Sequence, residues 1–173
     1  MSEPWSKLRD VDLLADGRAE FAIDIPLASF PRLTPKLARA EGSARGTLRF
    51  TREFGFAVAD VALDALLELV CQRCLGPMDW PVAARTRVAL LADPDTADRV
   101  PEEIETMHAP AGRTRLLDIV EEELLLSLPV VALHERGACD PPEREMPEPE
   151  EREAQQDVQR PFERLGELLK RDQ

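Results

Sequence analysis

The chain has 173 residues, which suits one domain plus a tail and is enough to bury a core without disulfide staples. Hydrophobic residues make up 43% of it and aromatics only 5%, with no Tyr, so the core must be mostly Leu, Val and Ala. A formal net charge of −12 excludes simple electrostatic binding to nucleic acid and leaves local concentrations of positive charge as the only route to phosphate.

No apolar run reaches the roughly 18 residues of a spanning helix. The opening MSEPWSKLRD is too polar for a signal peptide. The expectation is a cytoplasmic protein with no membrane partner. In a reducing compartment the three cysteines should be thiols or metal ligands rather than disulfides.

Residues 1 to 17 carry mixed charge with a few apolar anchors (Trp5, Leu8, Leu13, Leu14) and close at Gly17. Residues 19 to 25 alternate, with Phe21, Ile23 and Ile25 on one face, and predict a strand. Thr34 and Pro35 predict the start of a short helix reaching about Ala40, ended by Gly42. Ser43 to Thr51 alternates again, with Leu48 and Phe50 opposite Arg45, Thr47 and Arg49.

The stretch FAVADVALDALLELV, residues 56 to 70, predicts a long strand, although its second half also scores as helix. CQRCLGPMDWP follows as a turn, and Val82 to Leu90 alternates after it. Two alternating segments around a turn predict an antiparallel hairpin with Cys71 and Cys74 at its tip. Residues 92 to 112, with Pro94, Pro101 and Pro110, predict a long surface loop. Leu116 to Leu128 predicts a helix stopped by Pro129, with Glu121 to Glu123 on its wet face. Residues 140 to 160 are dense in Glu and Pro and predict a disordered linker. RPFERLGELLKR then predicts a short amphipathic helix over 161–173. The fold class expected is α+β: a mainly antiparallel sheet with a few packing helices in residues 1–139, then the linker and the terminal helix.

Three constellations can carry function. In the first, two cysteines separated by two residues on a turn can aim both sulfurs at one ion, as in a zinc knuckle. Structural zinc wants four ligands, and His134 and Cys139 have suitable spacing to complete a site with Cys71 and Cys74. Two other readings stay open: Cys71 as a buried apolar side chain with Cys74 idle, and a redox pair, which usually needs a helix N-terminus that is not visible here. The second is a basic island, Arg32, Lys36, Arg39, Arg45 and Arg49, with Arg73 and the Arg85/Arg87 pair nearby if the sheet gathers them. It can grip a phosphate backbone or be a solvated face balanced by acids. The third is Phe162, Leu165 and Leu169 on one face of the terminal helix, able to dock on their own domain or on a partner. Catalysis has little support, since no GxSxG, GxGxxG or Walker-type loop is present.

ELVCQRCLGPMDWPV resembles the cysteine hairpin of the large ribosomal RNA subunit accumulation (YceD) family. DIVEEELLLSLPVVALHERGAC, the acidic Pro-rich tail and RPFERLGELLKR are similar to further family segments in the same order. The resemblance implies a non-enzymatic factor supporting synthesis, processing or stability of large-subunit (23S) ribosomal RNA, with no small-molecule substrate. Its partners would be the RNA or a large-subunit precursor, together with a ribosomal protein. By the family pattern Cys71, Arg73, Cys74, Leu75, Pro77, Glu122, Leu128, Pro129, His134 and Cys139 carry over. Some relatives have paired cysteines after the Leu-Pro stop where this chain has His134 and Cys139, which leaves zinc as a candidate cofactor. An adaptor with a zinc-knuckle-like hairpin and a tethered docking helix is the competing expectation.

Overall fold

Period-two alternation decides the architecture of this α+β protein. A computed structural model describes residues 4–142. β1 (Arg9–Asp10) leads into α1 (Val11–Asp16), followed by β2 (Glu20–Pro26), β3 (Ser43–Glu53), β4 (Phe56–Val70) and β5 (Pro77–Leu91). β6 (Glu105–His108), β7 (Arg113–Thr114) and α2 (Leu116–Leu126) complete it. The main sheet has the order β2-β3-β4-β5-β6; its first three pairings are antiparallel and β6 runs parallel to β5. β1 and β7 form a separate short ladder.

One face of the sheet is apolar. Leu48, Phe50, Ala59, Val61, Leu63 and Leu67 are buried there beneath Leu14, Ile119, Val120 and Leu124 of the two helices. Each such large aliphatic side chain contributes about 1.5–3 kcal/mol on burial. Gly46 permits a close strand contact, since a Cβ there would overlap the Ala62 carbonyl of β4. The opposite face is a charge ladder. The register sets Glu20, Arg49, Asp60 and Arg87 side by side across four strands. Small residues Ala22, Thr47 and Ala62 form the next row, ending at Arg85.

Several expectations need correction. The helix at 35–40 is a single 3-10 turn, Thr34–Lys36, and Leu37 is already extended. The Thr34 hydroxyl donates to the carbonyls of Phe30 and Leu27 instead of capping a helix. Arg39 then bridges Glu68 of β4, which pulls the segment straight. Helix α1 was not foreseen; it is six residues long, and the Asp10 carboxylate caps it by accepting from the Leu13 amide. β5 starts at Pro77, well before Val82, while the 92–112 region contains β6 and a turn, Pro94–Arg99. Val58, Ala89, Leu91 and Ile104 form a second small core on the outer face, with Ala97 packed against it. Glu121 and Glu123 are not on a wet face; they are 2% and 3% exposed. Of the expected linker only residues 140–142 are described. The expected terminal helix, with Phe162, Leu165 and Leu169, lies outside the described residues. Among the described residues no helix is long and apolar enough to cross a membrane.

Candidate metal centre

The β4–β5 hairpin closes at Val70 and Pro77, so residues 71 to 76 project as its tip. The Cys71 amide donates to the Gly76 carbonyl at 2.8 Å, and the Leu75 amide donates to the Cys71 carbonyl at 2.9 Å. The left-handed residue of this turn is Leu75, at φ 62°, rather than the glycine beside it. At Gly76 a Cβ would sit 3.5 Å from the Cys74 sulfur, an ordinary contact, so space does not demand glycine there.

The chain leaving α2 returns to this tip. Trp80 Nε1 donates to the Ser127 carbonyl at 2.9 Å, anchoring the helix end on β5. The Gln72 amide donates to the Ala132 carbonyl at 2.8 Å, stitching the tip to the segment that carries His134 and Cys139. The four residues expected to be ligands therefore meet. One ligand atom from each of Cys71, Cys74, His134 and Cys139 lies within 4.8 Å of all the others. Cys71 Sγ is 3.9 Å from Cys139 Sγ, and Cys74 Sγ is 3.4 Å from His134 Nδ1. A tetrahedral zinc with bonds of about 2.3 Å to sulfur and about 2.0–2.1 Å to nitrogen has edges of about 3.8 Å and about 3.5 Å respectively. Both observed edges match to within a few tenths of an ångström, so these residues can hold a metal ion.

The surroundings favour thiolate. Burial opposes ionisation of Cys71, but the amides of Cys74, His134 and Arg73 and the Cys74 thiol outweigh it and hold its pKa down to about 5. Burial, with the neighbouring Cys74 and Cys71 sulfurs, pushes Cys139 up to about 11. Without a metal the cluster thus carries a thiolate stabilised beside a retained proton; a bound cation removes that proton. Arg73 adds a guanidinium, with Nη1 3.8 Å from Cys139 Sγ.

The basic island is not gathered into one cationic patch. Arg32 is bound by Glu121 and Glu122, Arg39 by Glu68, Arg45 by Asp24 and Arg49 by Glu20. Arg85 holds Asp64, and Arg87 holds Glu53 and Asp60. Lys36 makes no ion pair among the described residues and lines a groove with Val70, Gln72 and Pro129 at the cysteine end. Sequence reasoning missed the role of Glu121, whose Oε1 accepts from the amides of Arg32 at 2.7 Å and Leu33 at 3.1 Å. Three consecutive glutamates carry no local sign that Glu121 and Glu123 turn inward.

The family model described as "Large ribosomal RNA subunit accumulation protein YceD" matches residues 59–169, which run from β4 through the cysteine tip, α2 and the histidine-cysteine segment. A curated protein of that description from Haemophilus influenzae (strain ATCC 51907 / DSM 11121 / KW20 / Rd) is 33% identical over 75 residues. That alignment covers 43% of this chain and 43% of the relative, so the chain spans less than half the length of the curated relative it matches. No solved structure matches. The matched residues fall on the hairpin, its tip and the returning segment, and the chain belongs to the YceD family of large ribosomal RNA subunit accumulation proteins.

Proposed function

We propose that the chain acts by binding rather than catalysis, as a cytoplasmic factor that supports large-subunit ribosomal RNA. In this reading zinc on Cys71, Cys74, His134 and Cys139 rigidifies the end of the domain that meets RNA or a precursor particle. The observation that carries the zinc assignment is the pair of ligand edges, 3.9 Å between sulfurs and 3.4 Å from sulfur to imidazole. The family description supports the biological setting.

The ion pairing of Arg32, Arg39, Arg45 and Arg49 lowers their value to RNA, because each phosphate contact would first have to displace a carboxylate. Lys36 and Arg73, both at the cysteine end, are better placed. That end is also apolar: Val70, Leu75, Val130, Val131 and Leu133 are exposed there or in the adjoining segment. Exposed apolar surface of this kind favours a protein contact, such as a ribosomal protein, beside the RNA. It also keeps the adaptor reading in play, with Phe162, Leu165 and Leu169 recruiting the partner.

Sedimentation of cell extract tests the function. Co-migration with large-subunit precursors, and reduced large-subunit RNA on deletion, is expected. A protein that never enters those fractions, with RNA levels unchanged on deletion, would overturn the reading. If deleting residues 160–173 abolishes function while RNA affinity persists, the adaptor reading takes its place.

A further inference from the structure

Seven arginines (Arg32, Arg39, Arg45, Arg49, Arg52, Arg85 and Arg87) hold carboxylates within salt-bridge distance. Arg9 and Arg99 lie over the rings of Phe21 and Phe56. Arg18, Arg73 and Arg136 also lie outside these pairs, but Arg113 and Arg115 share one cleft. Both are exposed, flank Thr114, and make no ion pair among the described residues. The strand partner of Arg113 is Asp10, whose carboxylate caps α1 at the Leu13 amide and makes no ion pair with Arg113.

Both arginines line an open cleft of about 470 Å³, within the usual range for a small-ligand site. His108, Leu8 and Met107 also line it. Asp118 contributes one negative charge; Arg32 and Glu122, the remaining opposite charges there, are paired with each other at 2.7 Å. The lining residues thus combine two arginines without an ion pair, one histidine and the apolar Leu8 and Met107. Single-stranded RNA is recognised by that combination, with cations for phosphate and aromatic or guanidinium planes for unstacked bases. An A-form duplex, in contrast, is read across a wide shallow groove, and a cleft of this size does not suit it.

We propose that this cleft binds single-stranded RNA, with phosphates on Arg113 and Arg115 and a base against His108 and Met107. The proposal rests on the reading of the chain as a ribosomal RNA factor and adds a contact site away from the cysteine end.

The test is fluorescence anisotropy of the full chain with a short labelled oligouridylate, from about 50 to about 200 mM salt. For the Arg113→Ala/Arg115→Ala variant the slope of log affinity against log salt should become shallower by about 1.4, at about 0.7 per lost single-strand phosphate contact. Affinity at the lowest salt should fall more than about tenfold. Arg113→Lys/Arg115→Lys, which keeps both charges, should retain the slope and guards against misfolding of the alanine variant. His108→Ala should weaken binding about fivefold or more with the slope unchanged, because stacking is not ionic. Arg45→Ala/Arg49→Ala should leave both quantities nearly unchanged. No binding by the unmodified chain, an unchanged slope in the alanine variant, or equal binding of an acidic peptide would overturn the site. None of those results bears on precursor co-sedimentation, which tests the ribosomal reading separately.

Discussion

His134 Nδ1 lies 3.4 Å from Cys74 Sγ, while the Nε2 of the same ring lies 3.2 Å from the Pro77 carbonyl oxygen. A carbonyl only accepts, so that second contact requires the proton on Nε2. Nδ1 is then left with its lone pair facing the sulfurs, the tautomer a metal ligand needs. Pro77 is the first residue of β5, so the strand that carries the tip also orients the imidazole.

The same geometry predicts a local effect of metal removal. Chelation should loosen the tip and the segment after α2, because a few hydrogen bonds, Gln72–Ala132, Trp80–Ser127 and His134–Pro77 among them, then tie them. Amide exchange by mass spectrometry should accelerate at 71–76 and 130–139, while the β3–β4 ladder stays protected. Uniform acceleration across the sheet would contradict this.

Arg73 should act on the centre from outside it. Three thiolates and one neutral imidazole leave a zinc complex with one net negative charge, which the guanidinium 3.8 Å from Cys139 offsets. Arg73→Gln should lower zinc affinity about tenfold, a typical loss for an outer partner, with stoichiometry unchanged. Competition with a chromogenic chelator measures it.

Glu121 is a structural keystone for the 27–36 segment. Glu121→Ala removes the acceptor for two amides and the Nε contact of Arg32, and should cost about 2–3 kcal/mol in urea unfolding. Glu121→Gln keeps a carbonyl for both amides and should cost clearly less. Equal losses in the two variants would show that charge, rather than backbone capping, is what matters.

Glu123 predicts a pH dependence of opposite sign to a surface carboxylate. Burial raises its pKa, only partly countered by the Thr86 hydroxyl donating at 2.6 Å. With the folded pKa above the unfolded one, the protonated form favours the folded state. Its contribution is present at low pH and is lost as pH rises through the folded value. Glu123→Gln should therefore raise the Tm at pH 7.5, with the gain over the parent shrinking on acidification. A gain independent of pH would argue against a titrating Glu123.

Gly46 should tolerate no side chain. Gly46→Ala forces the methyl into the Ala62 backbone carbonyl and should cost about 1–3 kcal/mol through strand displacement. Unfolding by urea is the readout, with Gly42→Ala in an open loop as a reference for positive-φ strain alone.

The strands β3, β4 and β5 were legible because Leu48, Phe50, Val61, Leu63, Val82 and Val88 alternate with polar residues, a pattern that survives without tertiary knowledge. Cys71, Cys74, His134 and Cys139 were legible as a candidate group from residue type and spacing, beside a buried-apolar and a redox reading of the cysteines. Their meeting was not, because it depends on a Gln72–Ala132 contact across some sixty residues of chain. The parallel β6 gives no local signal, as its register is set by β5 alone. Helix α1 is too short to show a period, and Thr34-Pro35 offers helix-start chemistry that the Arg39–Glu68 bridge overrides. Arg45 and Arg49 read as one cationic face from spacing. Only the cross-strand register reveals Asp24 and Glu20 opposite them.

Metal content of the purified full chain tests the central claim most directly. Elemental analysis should find one zinc ion per chain, lost in Cys74→Ser, with the three thiols of the parent unreactive toward a thiol reagent until the metal is chelated. A metal-free parent purified without chelator, with all three thiols reactive at once, would contradict it.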